Sequence, residues 1–215
     1  ITNKQRYDAY GKMQRNRAYW KRRALALEGD KEAQSEALTR RVKKVYRESF
    51  RAVETEINAL VVEIARRFEI GEPITRSQLY QINKYQTVKE TLAREITALA
   101  SFLDKNLTAH VQKLALDVFG VNMAEFGREF NIIGEFQARA IASMNWSGAK
   151  FSDRIWGNAD AFNQRVLEDI EKAVIGGVNP DTLKKRLMED FERDYSQADR
   201  LIRTESSHAY NTAAL

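Results

Sequence analysis

The sequence predicts an all-α fold in which an elongated arm of long antiparallel helices precedes a compact helical C-terminal domain. Glycine and proline are rare, with 10 Gly and 2 Pro in 215 residues, while 30% of the residues are charged. This mix favours long helices over a turn-rich β fold. Two long stretches repeat apolar residues at three- and four-residue intervals, which indicates one face of a helix. Shorter stripes separated by Gly-Gly and Asn-Pro follow them, as expected for shorter capped helices.

The first region begins with a helix that Asn3 can cap and that runs to about Leu27, where Gly29-Asp30 should break it. Residues 31–68 contain no helix breaker, and their apolar stripe predicts one long helix. The stripe consists of Val42, Tyr46, Phe50, Val53, Ile57, Leu60, Ile64 and Phe68.

A second long helix should follow after a short connection. Gly71-Glu72-Pro73 ends the first stripe, and Thr75 or Ser77 can cap a short helix after it. The next stripe, with Gly120 as its C-cap, predicts a helix that folds back antiparallel to the first. Residues 1–120 would then form the arm. The members of this stripe are Val88, Leu92, Ile96, Leu99, Leu103, Leu107, Val111, Leu114 and Val118.

Residues 121–215 are predicted to form the compact helical domain. Glycines and aromatic residues interrupt its first part, which indicates short helices and loops. A helix ending at Gly176-Gly177 follows. Asn179-Pro180 then supplies an N-cap and a first-turn proline for the next helix, and Ser196 can cap the last one. Because the pattern stops at Leu215 without a helix-stop signal, we expect the domain to be truncated there.

The net charge of +5 is concentrated at the N-terminus: residues 1–23 carry eight basic groups and one acid, a net +7, against −2 for the rest of the chain. Aromatic residues are interleaved with these basic groups. This pattern fits a helix that contacts DNA through phosphate pairing and stacking, or an amphipathic helix whose charges are merely solvated. We expect contact with DNA or with an acidic protein surface through Lys4, Arg6, Lys12, Arg15, Arg17, Lys21, Arg22, Arg23, Tyr19 and Trp20.

The sequence gives no support for a disulfide-bonded protein, a membrane-spanning protein or a nucleotide-binding enzyme. The chain has no cysteine, so it can form neither a disulfide nor a thiolate metal site. It has no apolar run long enough to span a membrane and no glycine-rich phosphate-binding motif. We therefore expect no membrane association, no cofactor and no enzymatic activity.

Glu205 and His208 are three residues apart, a spacing at which two side chains of one helix could share a metal ion. This pair supplies only two ligands, and His110, the other histidine, has no acid in register with it. Ser206 and Ser207 lie beside His208, but no glycine-rich elbow precedes them as in a nucleophilic site. A structural hydrogen-bonded network is the favoured interpretation of this run.

A helical wheel places Glu205 within the apolar face of the last helix, between Leu201 and Ile202. A carboxylate that faces a core needs a cation or several donors, because an unpaired buried charge is costly. Arg154 is the best candidate, since a guanidinium can offer two donors to a carboxylate. The sequence thus predicts a buried ion pair between Glu205 and Arg154, with His208 as a hydrogen-bonding neighbour.

Three sequence blocks follow one another along the chain. They read YWKRR at 19–23, KFSDRIWGN at 150–158 and RLIRTE at 200–205. This ordered set resembles the minor head proteins of tailed phages, the head morphogenesis family that includes the phage Mu F-like proteins. In the second and third blocks and shortly after them, the matching positions are Arg154, Trp156, Asn158, Arg203, Thr204, Glu205 and Asn211.

The resemblance implies a structural protein of the virion, located in the head interior near the portal and in the host cytoplasm during assembly. It would act in head assembly and in DNA packaging or delivery. The implied partners are the portal protein, the major capsid or scaffolding protein, and packaged double-stranded DNA bound without sequence preference. Family members often continue into a region with paired cysteines, but this chain has none, so no metal site is carried over. A non-phage helical DNA-binding or coiled-coil scaffold protein is the alternative.

Overall fold

The computed structural model describes residues 3–68, 73–124, 131–177 and 179–214. Every regular element in these ranges is an α-helix, which confirms the predicted all-α class. No described helix combines the length and the apolar character that crossing a lipid bilayer requires. The helices are α1 (Asn3–Arg67), α2 (Arg76–Tyr80), α3 (Asn83–Ala124), α4 (Asn131–Ser143), α5 (Phe151–Ile175) and α6 (Pro180–Ala214).

Helix α1 is continuous, so the predicted break at Gly29-Asp30 was wrong. A glycine inside a helix costs about 1 kcal/mol relative to alanine, and the long helix tolerates that cost. Glu28 and Lys31 lie on either side of the glycine, and their side chains approach to 3.9 Å. An exposed glycine therefore weakens this helix locally without ending it.

Two other predicted boundaries were also wrong. Helix α3 continues past Gly120 to Ala124, and α6 continues through Ser196. The Ser196 hydroxyl donates to the carbonyl of Glu192 at 2.8 Å, a bond made within the helix rather than at its start. A serine whose hydroxyl bonds to the previous turn lies inside a helix and does not cap the start of one.

The predicted start signals of α2 and α6 were confirmed. The Thr75 hydroxyl accepts from the Gln78 amide, and the Gln78 side chain accepts in return from the Thr75 amide, which completes a capping box. At the start of α6, the Asn179 side chain accepts from the backbone amide of Asp181 at 2.8 Å. Pro180 then occupies the first helical position, where the missing amide hydrogen is not needed.

The four longer helices α1, α3, α5 and α6 form a bundle in which α3 and α6 run parallel to each other and α1 runs antiparallel to both. Helix α6 runs antiparallel to α1, because Lys31 lies over the ring of Tyr210 while Phe50 meets Phe191 further along. Helix α3 is likewise antiparallel to α1, as predicted. Among the described residues, α1 and α5 do not touch each other, whereas α3 and α6 do. The α3–α6 pair therefore occupies the middle of the bundle, with α1 and α5 on its two sides.

The core runs through both of the parts that the sequence predicts. Buried apolar side chains of the arm helices α1 and α3 belong to the same cluster as those of α5 and α6. Val53 and Leu107 from the arm, and Phe162 and Ile202 from beyond residue 120, are all nearly inaccessible to solvent. The division of the chain after residue 120 stays a prediction.

Candidate functional site

Glu205 lies in the second half of α6, on the stripe that faces the bundle interior. The flanking members of this stripe, Ile202 and Ala209, are fully buried, and Glu205 itself is only 2% exposed. The burial of this carboxylate confirms the wheel-based prediction. Such a position is costly unless the carboxylate is matched by donors.

Two side chains supply those donors. The Arg154 guanidinium lies 2.5 Å from one carboxylate oxygen of Glu205, and the Trp146 indole nitrogen donates to the other at 3.1 Å. The predicted Glu205–Arg154 ion pair is therefore confirmed, and Trp146 is an additional partner. With both oxygens engaged, the carboxylate ties α6 to α5 and to the segment before α5.

The chain path before α5 brings Trp146 and Arg154 to the same carboxylate. Trp146 lies in the connection between α4 and α5, and Arg154 is in the first turn of α5. Between them, Gly148 adopts a φ of 91°, a left-handed conformation that favours glycine. This turn folds the connection back over α6.

His208 is positioned through the indole rather than through the carboxylate. Its ring stacks on Trp146 with centroids 4.3 Å apart and planes 15° apart, and its Nδ1 is 3.4 Å from the Thr212 hydroxyl. The expected hydrogen bond to Glu205 is not made, so that detail was wrong. Burial lowers the pKa of His208, although the nearby Glu205 charge acts in the opposite direction.

His110 forms a second polar contact inside the bundle. Its Nε2 lies 2.8 Å from the Ser206 hydroxyl and 3.5 Å from that of Ser35, so it joins α3 to α6 and α1. Burial lowers the pKa of His110, and the nearby Arg41 and Lys113 lower it further. Both hydroxyls already donate to backbone carbonyls, so the Nε2–H of His110 is the donor to them, which suits a structural link between three helices.

The polar groups around Ser206 are buried and bonded within the protein. Ser206 is buried, and its hydroxyl also donates to the Ile202 carbonyl at 2.6 Å, so it is not presented to a substrate. Within the described ranges, no three His, Asp or Glu side chains come together as metal ligands. The Glu205 carboxylate is engaged by Arg154 and Trp146, and the Ser206 hydroxyl by His110 and the backbone.

The other motif positions have separate environments. Trp156 is partly exposed, and its indole nitrogen lies 3.3 Å from Asp104, which links α5 to α3. Arg203 points away from the core and pairs with Asp199 at 3.0 Å. Thr204 and Asn211 line an open surface depression beside Trp146 and His208, and Asn158 lines a small cavity next to Asp194.

The basic N-terminal stretch lies in the first part of α1. Arg17, Tyr19, Lys21 and Arg22 are exposed. Arg23 is instead half-buried, and its guanidinium donates to the Val121 carbonyl at the end of α3. The side chains of Lys4, Arg6, Lys12, Arg15 and Trp20 lie outside the described part of the structure.

A second group of buried acids on α6 was not predicted. Asp190 pairs with Arg165 at 3.0 Å, and Asp194 accepts from the Tyr46 hydroxyl at 2.6 Å. The sequence does indicate their burial, because both lie at helical spacing from the apolar residues Leu187 and Ala198. Extending the helical wheel towards the start of α6 would have placed both acids on the buried stripe.

Comparison of the chain with protein-family models, with curated proteins and with solved structures finds no match.

Proposed function

We propose that this chain is a structural minor head protein of a tailed phage that acts at the portal vertex in head assembly and in DNA packaging or delivery. The observation that carries the proposal is the contact between two of the resembling blocks. Arg154 of the second block and Glu205 of the third are 51 residues apart, yet they form an ion pair in which Glu205 is buried and Arg154 half-buried. A shared structural role explains why both blocks occur together in one chain.

The surroundings of this ion pair also support a structural rather than an enzymatic role. Arg154 and Trp146 engage both oxygens of Glu205. The network thereby joins α6 to the start of α5. We expect such a link in a protein whose role is to keep a fixed shape for head assembly.

The exposed part of the basic stretch supports contact with DNA. Arg17, Lys21 and Arg22 present cationic groups to solvent on a continuous helix. Phosphate contacts of this kind release counterions and need no base-specific readout. We propose that this end of α1 touches packaged DNA, while the bundle supplies the contacts to the portal or to other head proteins.

Purified phage heads test the location. Quantitative mass spectrometry should detect the chain in few copies relative to the major capsid protein, together with the portal protein. Absence of the chain from heads in which the portal protein is detected would contradict the proposal. It would favour a helical DNA-binding or scaffold protein that is unrelated to phage particles.

The DNA contact is tested separately by the salt dependence of duplex binding. Changing Arg17, Lys21 and Arg22 together to Gln should reduce the slope of log K against log salt by up to about 2.7, at roughly 0.9 per lost phosphate contact. The matched control changes Arg40, Lys44 and Lys172 to Gln, three exposed cations elsewhere on the surface. Equal slopes for the two triple variants would remove this part of the proposal.

A further inference from the structure

A groove runs along the surface between α1 and α6, away from the Glu205 network. It has a volume of about 420 Å³. Phe50 and Phe191 meet edge to face in its floor, with centroids 5.6 Å apart. Met188, on the α6 wall, is 44% exposed although its side chain is apolar. Phe191 is itself buried, so the apolar surface that the groove exposes comes from Met188 and the half-buried Phe50.

Both ends of the groove are bridged by contacts between its two walls. At one end the Lys43 ammonium lies over the Tyr195 ring, 5.6 Å from its centroid. At the other end Lys184 forms an ion pair with Glu54. The wall between these bridges is about 16 Å long on each helix, at 1.5 Å per residue. This length accommodates about three turns of another helix.

The α1 wall is cationic. Lys43, Arg47 and Arg51 recur at four-residue intervals, so they form one row along the groove. Arg47 and Arg51 are exposed, and no carboxylate among the described residues forms an ion pair with either of them. The groove lining also contains two acids, Glu54, which is paired with Lys184, and Glu192 on the α6 wall. Its four cations outnumber these two acids, so the groove keeps an excess of positive charge beside its apolar floor.

We propose that this groove binds an acidic amphipathic helix of a partner protein. An apolar side chain of that helix would fill the space between Phe50 and Met188. Carboxylates one helical turn apart would pair with Arg47 and Arg51, which are themselves one turn apart on α1. Helices that place an apolar face into a groove between two other helices are a common mode of recognition. Nucleic acid would use the two guanidinium groups but would leave the apolar floor unfilled.

A synthetic helical peptide, with leucines on one face and glutamates one turn apart beside them, is the probe. Its binding to the full chain is followed by fluorescence anisotropy. Arg47→Glu combined with Arg51→Glu should weaken binding by at least about tenfold. Arg40→Glu combined with Lys44→Glu makes the same change in charge at the same spacing but outside the groove, and it should change binding by less than about twofold.

Met188→Glu separates the proposed partner from nucleic acid. This exposed substitution should weaken peptide binding, because it places a carboxylate at the apolar wall, and it should have little effect on binding of a short duplex DNA. Loss of peptide binding in both the Arg47/Arg51 and the Met188 variants supports the proposal. A peptide affinity weaker than about 1 mM, or equal losses in the groove and control pairs, overturns it. Duplex binding that depends on Arg47 and Arg51 while Met188→Glu leaves peptide binding unchanged also overturns it, in favour of a nucleic-acid site.

Discussion

Helix α6 buries acidic side chains in two places and satisfies them in different ways. Near its C-terminal end, Glu205 is met by a guanidinium and an indole N–H. About three and four turns earlier, Asp194 accepts a hydrogen bond from the neutral hydroxyl of Tyr46, and Asp190 pairs with Arg165. Both places lie on the same buried stripe, so the difference arises from the neighbouring helices and not from α6 itself.

The two earlier acids have raised pKa values. Burial raises the pKa of Asp194, although the hydrogen bond from Tyr46 and the charge of Arg165 oppose this. Burial also raises the pKa of Asp190, and a hydrogen bond to Asp169 adds to the effect in spite of Arg165. The comparison teaches that one helix face can bury a carboxylate held by two strong donors, as at Glu205, and two others whose pKa values are raised by their burial, as at Asp190 and Asp194.

The largest effect should come from Glu205→Ala. The substitution leaves the Arg154 guanidinium and the Trp146 indole without their acceptor inside the bundle, so we expect the free energy of unfolding to fall by about 3 kcal/mol. Urea denaturation measures the change. Glu135→Ala, which removes one partner of an exposed ion pair with Arg139, is the control and should cost less than about 0.5 kcal/mol. Equal losses in the two variants would contradict a structural role for Glu205.

Amide substitution should separate the two kinds of buried acid. Asp194→Asn keeps an acceptor for the Tyr46 hydroxyl, so we expect the free energy of unfolding at neutral pH to change by less than about 1 kcal/mol. Asp194→Ala removes that acceptor and should cost about 1–3 kcal/mol. Glu205→Gln, in contrast, should behave much like Glu205→Ala, because Arg154 needs the negative charge. If the Asp194→Asn variant is as unstable as the Asp194→Ala variant, the hydrogen bond from Tyr46 is not what stabilises this position.

The pH dependence of stability should show the raised pKa values directly. A carboxyl whose pKa is higher in the folded state binds more protons there than in the unfolded chain, so folding is favoured below the ordinary value of 3.8. That contribution is lost as the pH rises through the raised pKa. The variant with both Asp190→Asn and Asp194→Asn should therefore lose less stability than the original protein as the pH rises from 3.8. Parallel curves for the two proteins would argue against this assignment.

The smallest expected effect concerns His110, and it has the opposite sign. Its pKa lies below the ordinary 6.5 because of burial, Arg41 and Lys113. The folded protein therefore binds fewer protons than the unfolded chain, and stability is lost as the pH falls below 6.5. His110→Gln should reduce this acid-side slope in denaturation measured between about pH 5 and 8. An unchanged slope would show that His110 does not contribute to it.

The part of the site that could be predicted was the part that helical periodicity determines. Placing Glu205 on the apolar face required only the 100° step of a helix, and the need for a cation then selected Arg154. Trp146 was missed because its approach depends on the turn at Gly148, which no periodic pattern encodes. Asp190 and Asp194 were missed because Ser196 was taken as a helix start, which separated them from the stripe that they share.

The predicted helix boundaries were less accurate for a related reason. Glycine and serine are common at helix ends, but Gly29, Gly120 and Ser196 each occur inside a helix. Local propensities of about 1 kcal/mol are outweighed when neighbouring turns bury an apolar stripe. The helix start at Asn179-Pro180 was predicted correctly because the asparagine side chain and the proline ring both act directly on the first turn.

Because α1 is continuous, the positive charge of the chain is concentrated at one end of a long helix. Its first 20 residues rise by about 30 Å, and Arg23 and Ala24 already contact Val121 and Tyr210, close to the ends of α3 and α6. The charge of +7 in residues 1–23 is thus displaced from a body that carries −2, and the positive end of the helix dipole adds to it. Because the charge is separated along α1, the field of a polyanion would turn this end towards it before any contact forms.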